Sequence, residues 1–206
     1  MKRIVVIAPH PDDEVLGCGA TISKYVHNGY EVFVVVATKG IPEMYSKESV
    51  AKVRKEAREI HEFLGIKDTI FLDFPAPRLN VFPECEISLA FSDILKTIKP
   101  SILFIPHPSD LHQDHIAVYR SAIVSARPIY DYVIGMVCCY ETLSETNWFP
   151  VSMNNSFMPN LYIDVSNYFE KKLHAMKMYK SQIMQYPHCR SLEGMNALAT
   201  YRGVTI

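Results

Sequence analysis

Two short stretches of the chain are dense in groups that bind metals and move protons. One is His10-Pro11-Asp12-Asp13-Glu14; the other is HPSDLHQDH, residues 107 to 115. Four of the eight histidines fall in these two pieces, at His10, His107, His112 and His115. Imidazole and carboxylate together suit Zn2+ or another divalent transition ion. His112 and His115 are three apart, so on a helix they share a face. A hydrolytic site of this kind needs three protein ligands, an open position for water, and an unbound carboxylate to take the water's proton. Asp12, Asp13, Asp110 and Asp114 offer more carboxylates than ligation needs, which leaves one free as a base. No thiolate is implicated, which favours a catalytic over a structural metal.

Each stretch also has a plainer use. Asp12, Asp13 and Glu14 could sit in the first turn of a helix, where free N–H groups and the macrodipole welcome acids. Asp110 could be the N-cap of a helix over 111–128. His27, His61 and His174 lie in helical patterns with no acid nearby and read as surface or packing residues.

The elements that must position these groups follow from the apolar pattern. Continuous β-branched or apolar runs at 3–8, 31–38 and 101–106 predict strands buried on both faces, with a short strand at 68–75 and another strand at 132–141. A further strand is expected at 160–166. Amphipathic helices are expected over 14–29, 47–66, 86–100, 111–128 and 167–182, the first two stopped by Gly29 and Gly65. Strands and helices alternate, which predicts one α/β domain: a Rossmann-like, mainly parallel sheet with helices on both faces. Both reactive stretches follow a strand directly. In a parallel sheet they therefore leave from the same edge, where ligands bind near a switch in strand order.

Composition narrows the function classes. The chain has 206 residues, 49% apolar and 21% charged, with a formal net charge of −1. That is enough apolar material for one core, and it carries no basic excess for nucleic acid. No run approaches the roughly 20 apolar residues of a membrane span. The opening MKRIVVIA is too short for a signal peptide and leads into HPDDE, so it reads as a strand. Five cysteines, an odd number without a C-x-x-C pair, fit a reducing cytoplasm. The first turn lacks G-x-G-x-x-G, because Gly17 and Gly19 lie inside the helix, which argues against a dinucleotide site.

APHPDDEVLGCGATI resembles the first signature of the PIG-L/LmbE-like zinc-dependent de-N-acetylases, and HQDHIAV resembles their second. The likeness continues through RKEAREIHEFLG (54–65), KKLHAMKMYKSQ (171–182) and ALATYRG (197–203). The resemblance implies a Rossmann-like hydrolase that removes acetyl groups from N-acetylglucosamine-type sugars, free or as glycoconjugates or nucleotide sugars. It implies His10, Asp13 and His115 as zinc ligands, with other divalent transition metals as substitutes. It implies Asp12 as general base, His112 as a histidine that, protonated, stabilises the tetrahedral intermediate or assists the leaving group, and Asp114 as a partner behind the ligands. Arg54 would meet the sugar. Relatives often form trimers or hexamers. Two departures stand out: many relatives carry an acid near the position of Ala76, and as a rule they continue beyond YRGVTI, so the C-terminal tail reads as shortened. Tyr45, Trp148 and Phe149 are loop aromatics that could stack on a sugar or mediate oligomer contacts. The competing readings are a metal-dependent amidase for a non-sugar N-acyl compound and an inactive metal- or sugar-binding homologue.

Overall fold

A computed structural model describes residues 2–148 and 156–206. Phe149 lies outside the described residues. Five strands form one wholly parallel sheet: β1 (Arg3–Ala8), β2 (Glu31–Gly40), β3 (Asp68–Ala76), β4 (Ile102–Pro106) and β5 (Met136–Tyr140), in the order β3-β2-β1-β4-β5. Their connections carry helices α1 (Asp13–His27), α2 (Lys47–Leu64), α3 (Glu84–Ile98) and α4 (Gln113–Ser125). Two more, α5 (Phe169–Met178) and α6 (Leu192–Gly203), follow β5.

The pleat sorts side chains onto two cores. Ile4, Val6, Val32, Val34 and Val36 face α1, α2 and α5, while Val5, Ile7, Val35, Leu103 and Ile105 face α3 and α4. Burial on both faces is why these strands read as unbroken apolar runs rather than as alternation. The chain builds outward from β1 to β3, then returns through α3 to lay β4 against the other side of β1. The sheet's strand order therefore reverses between β1 and β4, the crevice where α/β sheets bind ligands. β1 and β4 pair in register from Ile4 with Ile102 to Val6 with Phe104, so the two reactive stretches leave side by side.

Local signals set the helix ends. Ser46 caps α2 by accepting from Ser49 N–H at 3.1 Å, and Gly65 ends it at a φ of 82° that a side chain would strain. Gly17, inside α1, is required by packing: a Cβ there would run into the ring of Tyr140, whose hydroxyl donates to Ile7 O at 2.9 Å. Gly17→Ala is therefore expected to destabilise the fold by roughly 1–3 kcal/mol, read as a lowered midpoint of thermal or urea unfolding. An unchanged midpoint would mean the Tyr140 ring can move aside freely.

Two expectations are corrected. Residues 160–166 are irregular: Ile163 packs on the core, but Lys24 Nζ donates to Asp164 O at 2.7 Å and the Asp164 carboxylate holds Ser166 N–H. Their backbone is thus engaged by α1 and by a local turn instead of extending the sheet beyond β5. The helix expected at 111–128 is shorter, with His112 as its N-cap in place of Asp110. The C-terminal stretch, for which the apolar pattern predicts no element, contains α6, capped by Ser191 through Gly194 N–H.

Candidate metal centre and cleft

The turn after β1 is clamped by β2. Thr38 donates both its backbone N–H (3.1 Å) and its hydroxyl (2.8 Å) to Pro9 O. Asp12 follows with φ 113° and ψ −27°, a left-handed conformation rare outside glycine. It occupies the N-cap position of α1 yet makes no capping bond with its side chain. Helix capping therefore does not account for this carboxylate, which instead borders the cleft.

His10, Asp13 and His115 each bring one ligand atom within 4.8 Å of the others. Asp13 Oδ2 lies 3.3 Å from His10 Nδ1 and 3.2 Å from His115 Nε2. The far nitrogen of each imidazole is held by a buried carboxylate. His115 Nδ1 donates to Asp110 Oδ2 at 2.9 Å, and His10 Nε2 lies 3.1 Å from Asp114 Oδ2. Asp110 is fixed in turn by Thr146 Oγ1 at 2.6 Å, and Asp114 by Leu79 N–H at 2.9 Å. Carboxylates behind histidines are how metal centres set the tautomer and aim the ligating nitrogen.

The electrostatics favours a cation in the middle. Burial works to raise the Asp13 carboxyl, but His115 and His10 outweigh it and hold the carboxyl well below the usual carboxylate range. Burial works to lower His115, yet Asp13 and Asp110 push it up to about 10. His10 is raised in the same way, against burial, by Asp114 and Asp13. His115 Nε2 is buried and has no hydrogen-bond partner among the described residues. An orphaned imidazole nitrogen facing an ionised carboxylate fits a divalent transition ion, and the N,N,O donor set suits zinc.

His112 lies beside this group, its ring 4.6 Å from that of His10. Its Nδ1 accepts Asp114 N–H at 3.1 Å, so the ring's proton sits on Nε2. Burial, followed by the charge of His10, lowers its pKa to about 4. With Nδ1 already accepting, His112 offers Nε2–H as a donor, where the resemblance implies an imidazolium. His107 does not join the group. Its ring packs edge-on against Phe157, 5.0 Å away, and its Nδ1 accepts Ser109 N–H.

A cleft of about 440 Å3 opens onto these groups, bordered by His10, Asp12, Asp13, His112, Glu145 and Arg190 at one end and Tyr45, Lys52, Arg54 and Ala76 elsewhere. Arg54 reaches the wall with its guanidinium already engaged, 2.8 Å from Asp73 Oδ1 and donating to Leu72 O at 2.8 Å. Trp148 stands exposed, 6.3 Å from His188 ring to ring.

Two residues read as plain from the sequence are not. Glu14 is fully buried; it accepts from Tyr179 OH at 2.7 Å and from Asp12 N–H at 3.0 Å. His61, expected to lack an acidic partner, is buried with Nε2 3.0 Å from Glu14 Oε1 and Nδ1 2.7 Å from Thr69 Oγ1. These bonds tie α1, α2, β3 and the segment after α5 together beneath the Asp12 turn.

Residues 5–126 match the PIG-L family, described as GlcNAc-PI de-N-acetylase. The chain belongs to the PIG-L family. Across 186 residues it is 35% identical to the uncharacterized deacetylase YaiS of Escherichia coli K12, covering 87% of this chain and 91% of that protein. Among solved structures, the conserved protein TT1542 of Thermus thermophilus superposes with a TM-score of 0.80 at 26% identity, covering 100% of this chain and 90% of the other. The N,N'-diacetylchitobiose deacetylase of Pyrococcus horikoshii superposes with a TM-score of 0.75 at 25% identity, covering 99% and 79%. In this PIG-L chain Asp110, legible in the sequence as a spare carboxylate or a helix cap, stands behind His115. Glu145 and Arg190 carried no sequence signal, since neither belongs to a motif. No described helix is long and apolar enough to cross a membrane.

Asp110→Asn keeps the size of the side chain but removes the charge behind His115. The expected result is a metal affinity weakened by roughly 10–100-fold, measured by competition with a chromogenic chelator. Unaltered affinity would show that His115 does not ligate through the nitrogen opposite Asp110.

Proposed function

We propose that this protein is a zinc-dependent hydrolase that removes the acetyl group from an N-acetylglucosamine-type amino sugar. The observation that carries the reading is the convergence of ligand atoms from His10, Asp13 and His115, with His10, Asp12 and Asp13 bordering the cleft. His10 through Nδ1, Asp13 through Oδ2 and His115 through Nε2 would hold the metal, with Asp114 and Asp110 behind the two histidines. When bound there, zinc supplies Lewis acidity and lowers the pKa of water to about 7. Asp12 accepts the proton of the attacking water and returns it to the nitrogen of the departing amine, so the amide C–N bond breaks to give acetate and the free amine. His112 donates its Nε2–H to the oxygen of the tetrahedral intermediate, an interaction typically worth about 10²–10³ in rate. Membership of the PIG-L family and the likeness to the chitobiose deacetylase support an acetylated amino sugar as substrate. A cytoplasmic location is part of the reading, on the odd number and scattered spacing of the five cysteines.

One observation favours a second reading. Ala76, buried in the cleft wall, offers no carboxylate to a sugar hydroxyl, and Arg54 is already paired with Asp73. A non-sugar N-acyl substrate, such as an N-acyl amino acid, is the alternative. The deciding experiment measures acetate release from N-acetylglucosamine, N,N'-diacetylchitobiose and N-acetyl amino acids by chelated protein, before and after zinc is restored. Zinc-dependent acetate from the sugars alone is expected. Release from the amino acids alone would establish the alternative. Stoichiometric zinc with no acetate from any of them would point to a binding protein.

A further inference from the structure

Asp12 makes one side-chain contact that the proposed reaction leaves unexplained. The Arg190 guanidinium lies against Asp12 Oδ2, with the Asp12 side chain almost wholly buried. Arg190 belongs to the segment 179–191 that joins α5 to α6, far from either signature. That segment is anchored at both ends. Tyr179 donates to Glu14 at its start, and Ser191 caps α6 at its end.

Arg190 itself is fixed from several directions. Its backbone N–H donates to His188 Nδ1 at 3.1 Å. Its guanidinium donates to Gln182 Oε1 at 3.3 Å. Gln182 Nε2 donates to Ser181 Oγ at 3.1 Å, and Ser181 Oγ donates to the buried Glu56 of α2 at 2.5 Å. The Lys-Ser-Gln end of the stretch 171–182 thus carries a relay of bonds from the body of the domain to the guanidinium. Asp12 is gripped at two points. Glu14 holds its N–H, and Arg190 holds one oxygen of its carboxylate.

We infer that Arg190 is a positioning residue for Asp12, aiming the second carboxylate oxygen into the cleft toward the attacking water. This rests on the deacetylase reading, in which Asp12 is the base. The physical need is specific. Asp12 lacks the capping bond that usually fixes an N-cap aspartate. A base free to rotate would spend most of its time out of line with the proton it must take. A planar, always charged guanidinium whose Nη2 is also held by Gln182 Oε1 keeps a fixed direction against one carboxylate oxygen. It is the same logic by which a third residue orients the base in other hydrolases.

The test uses Arg190→Ala and Arg190→Lys in the zinc-loaded protein, with acetate release from N,N'-diacetylchitobiose and crystal structures of both variants. Misaiming a catalytic group by about 1 Å can cost ~10²-fold, so Arg190→Ala is expected to lose about that much in kcat with KM nearly unchanged. Zinc stoichiometry should stay at the wild-type value. Arg190→Lys, which keeps charge without the planar guanidinium, should fall between the two. Added guanidinium at millimolar concentration should restore part of kcat to Arg190→Ala and nothing to Asp12→Asn. The Asp12 carboxylate should be turned in the alanine variant relative to wild type.

An unchanged kcat, or a loss confined to KM, overturns the assignment, the latter by making Arg190 a substrate contact. A kcat loss that guanidinium does not restore, with Asp12 unmoved in the crystal, overturns it also. If wild-type protein releases no acetate from any tested amide, the deacetylase reading fails. The crystal comparison then still decides whether Arg190 orients Asp12.

Discussion

Asp12→Asn is expected to keep a full complement of zinc and to lose about 10²–10⁴ of the acetate-release rate, the span typical of a removed general base. Asparagine has the size of aspartate and tolerates the left-handed backbone better than most residues, so the φ of 113° at this position should survive. The amide cannot accept the proton of the attacking water. Ligation should be untouched if the metal is held by the converging atoms of His10, Asp13 and His115. Metal content and acetate release are measured on the same preparation. Zinc lost together with activity would mean that base and ligand have been exchanged between the adjacent aspartates. Full activity would remove Asp12 from the chemistry.

His115→Ala is expected to lose zinc and activity together, and excess zinc should restore neither. The imidazole is wholly buried between Asp13 and Asp110, with one nitrogen toward each. Without it the donor set falls to two, and two buried carboxylates face each other across a gap. The variant should also unfold more easily when metal is chelated. Breaking a buried ionic arrangement by removing one partner costs about 3–5 kcal/mol, which thermal unfolding in chelator will read. The sign follows from the raised pKa of His115. Its cation contributes to stability below its ordinary pKa, and that contribution fades as pH rises through about 10. Wild-type zinc stoichiometry in this variant would remove His115 from the ligand set.

Much of the architecture was legible because burial dictates composition. Runs such as RIVVIA and EVFVVVAT could only be strands covered on both faces, and Gly65 ended its helix for a backbone reason visible in the sequence. The strand expected at 160–166 misled because its apolar Ile163 packs on the core without sheet pairing. Glu14 misled for a different reason. An acid in a first turn has a sufficient local explanation, and only the arrival of Tyr179, 165 positions away, exposes its other role. His61 was misjudged with it, since its acidic partner lies on another helix.

By itself the sequence determined the wholly local matters. Apolar periodicity made a parallel α/β sheet, and both reactive stretches had to emerge from strand ends on one edge of it. That much requires only short-range sterics and the need to bury apolar surface. The tertiary structure alone decided which nitrogen of each histidine faces Asp13, that Asp110 stands behind His115, and that Arg190 grips Asp12. Such contacts are made between side chains whose directions are set by how turns, loops and helices pack together. No rule of spacing along the chain encodes the direction in which a buried carboxylate will point.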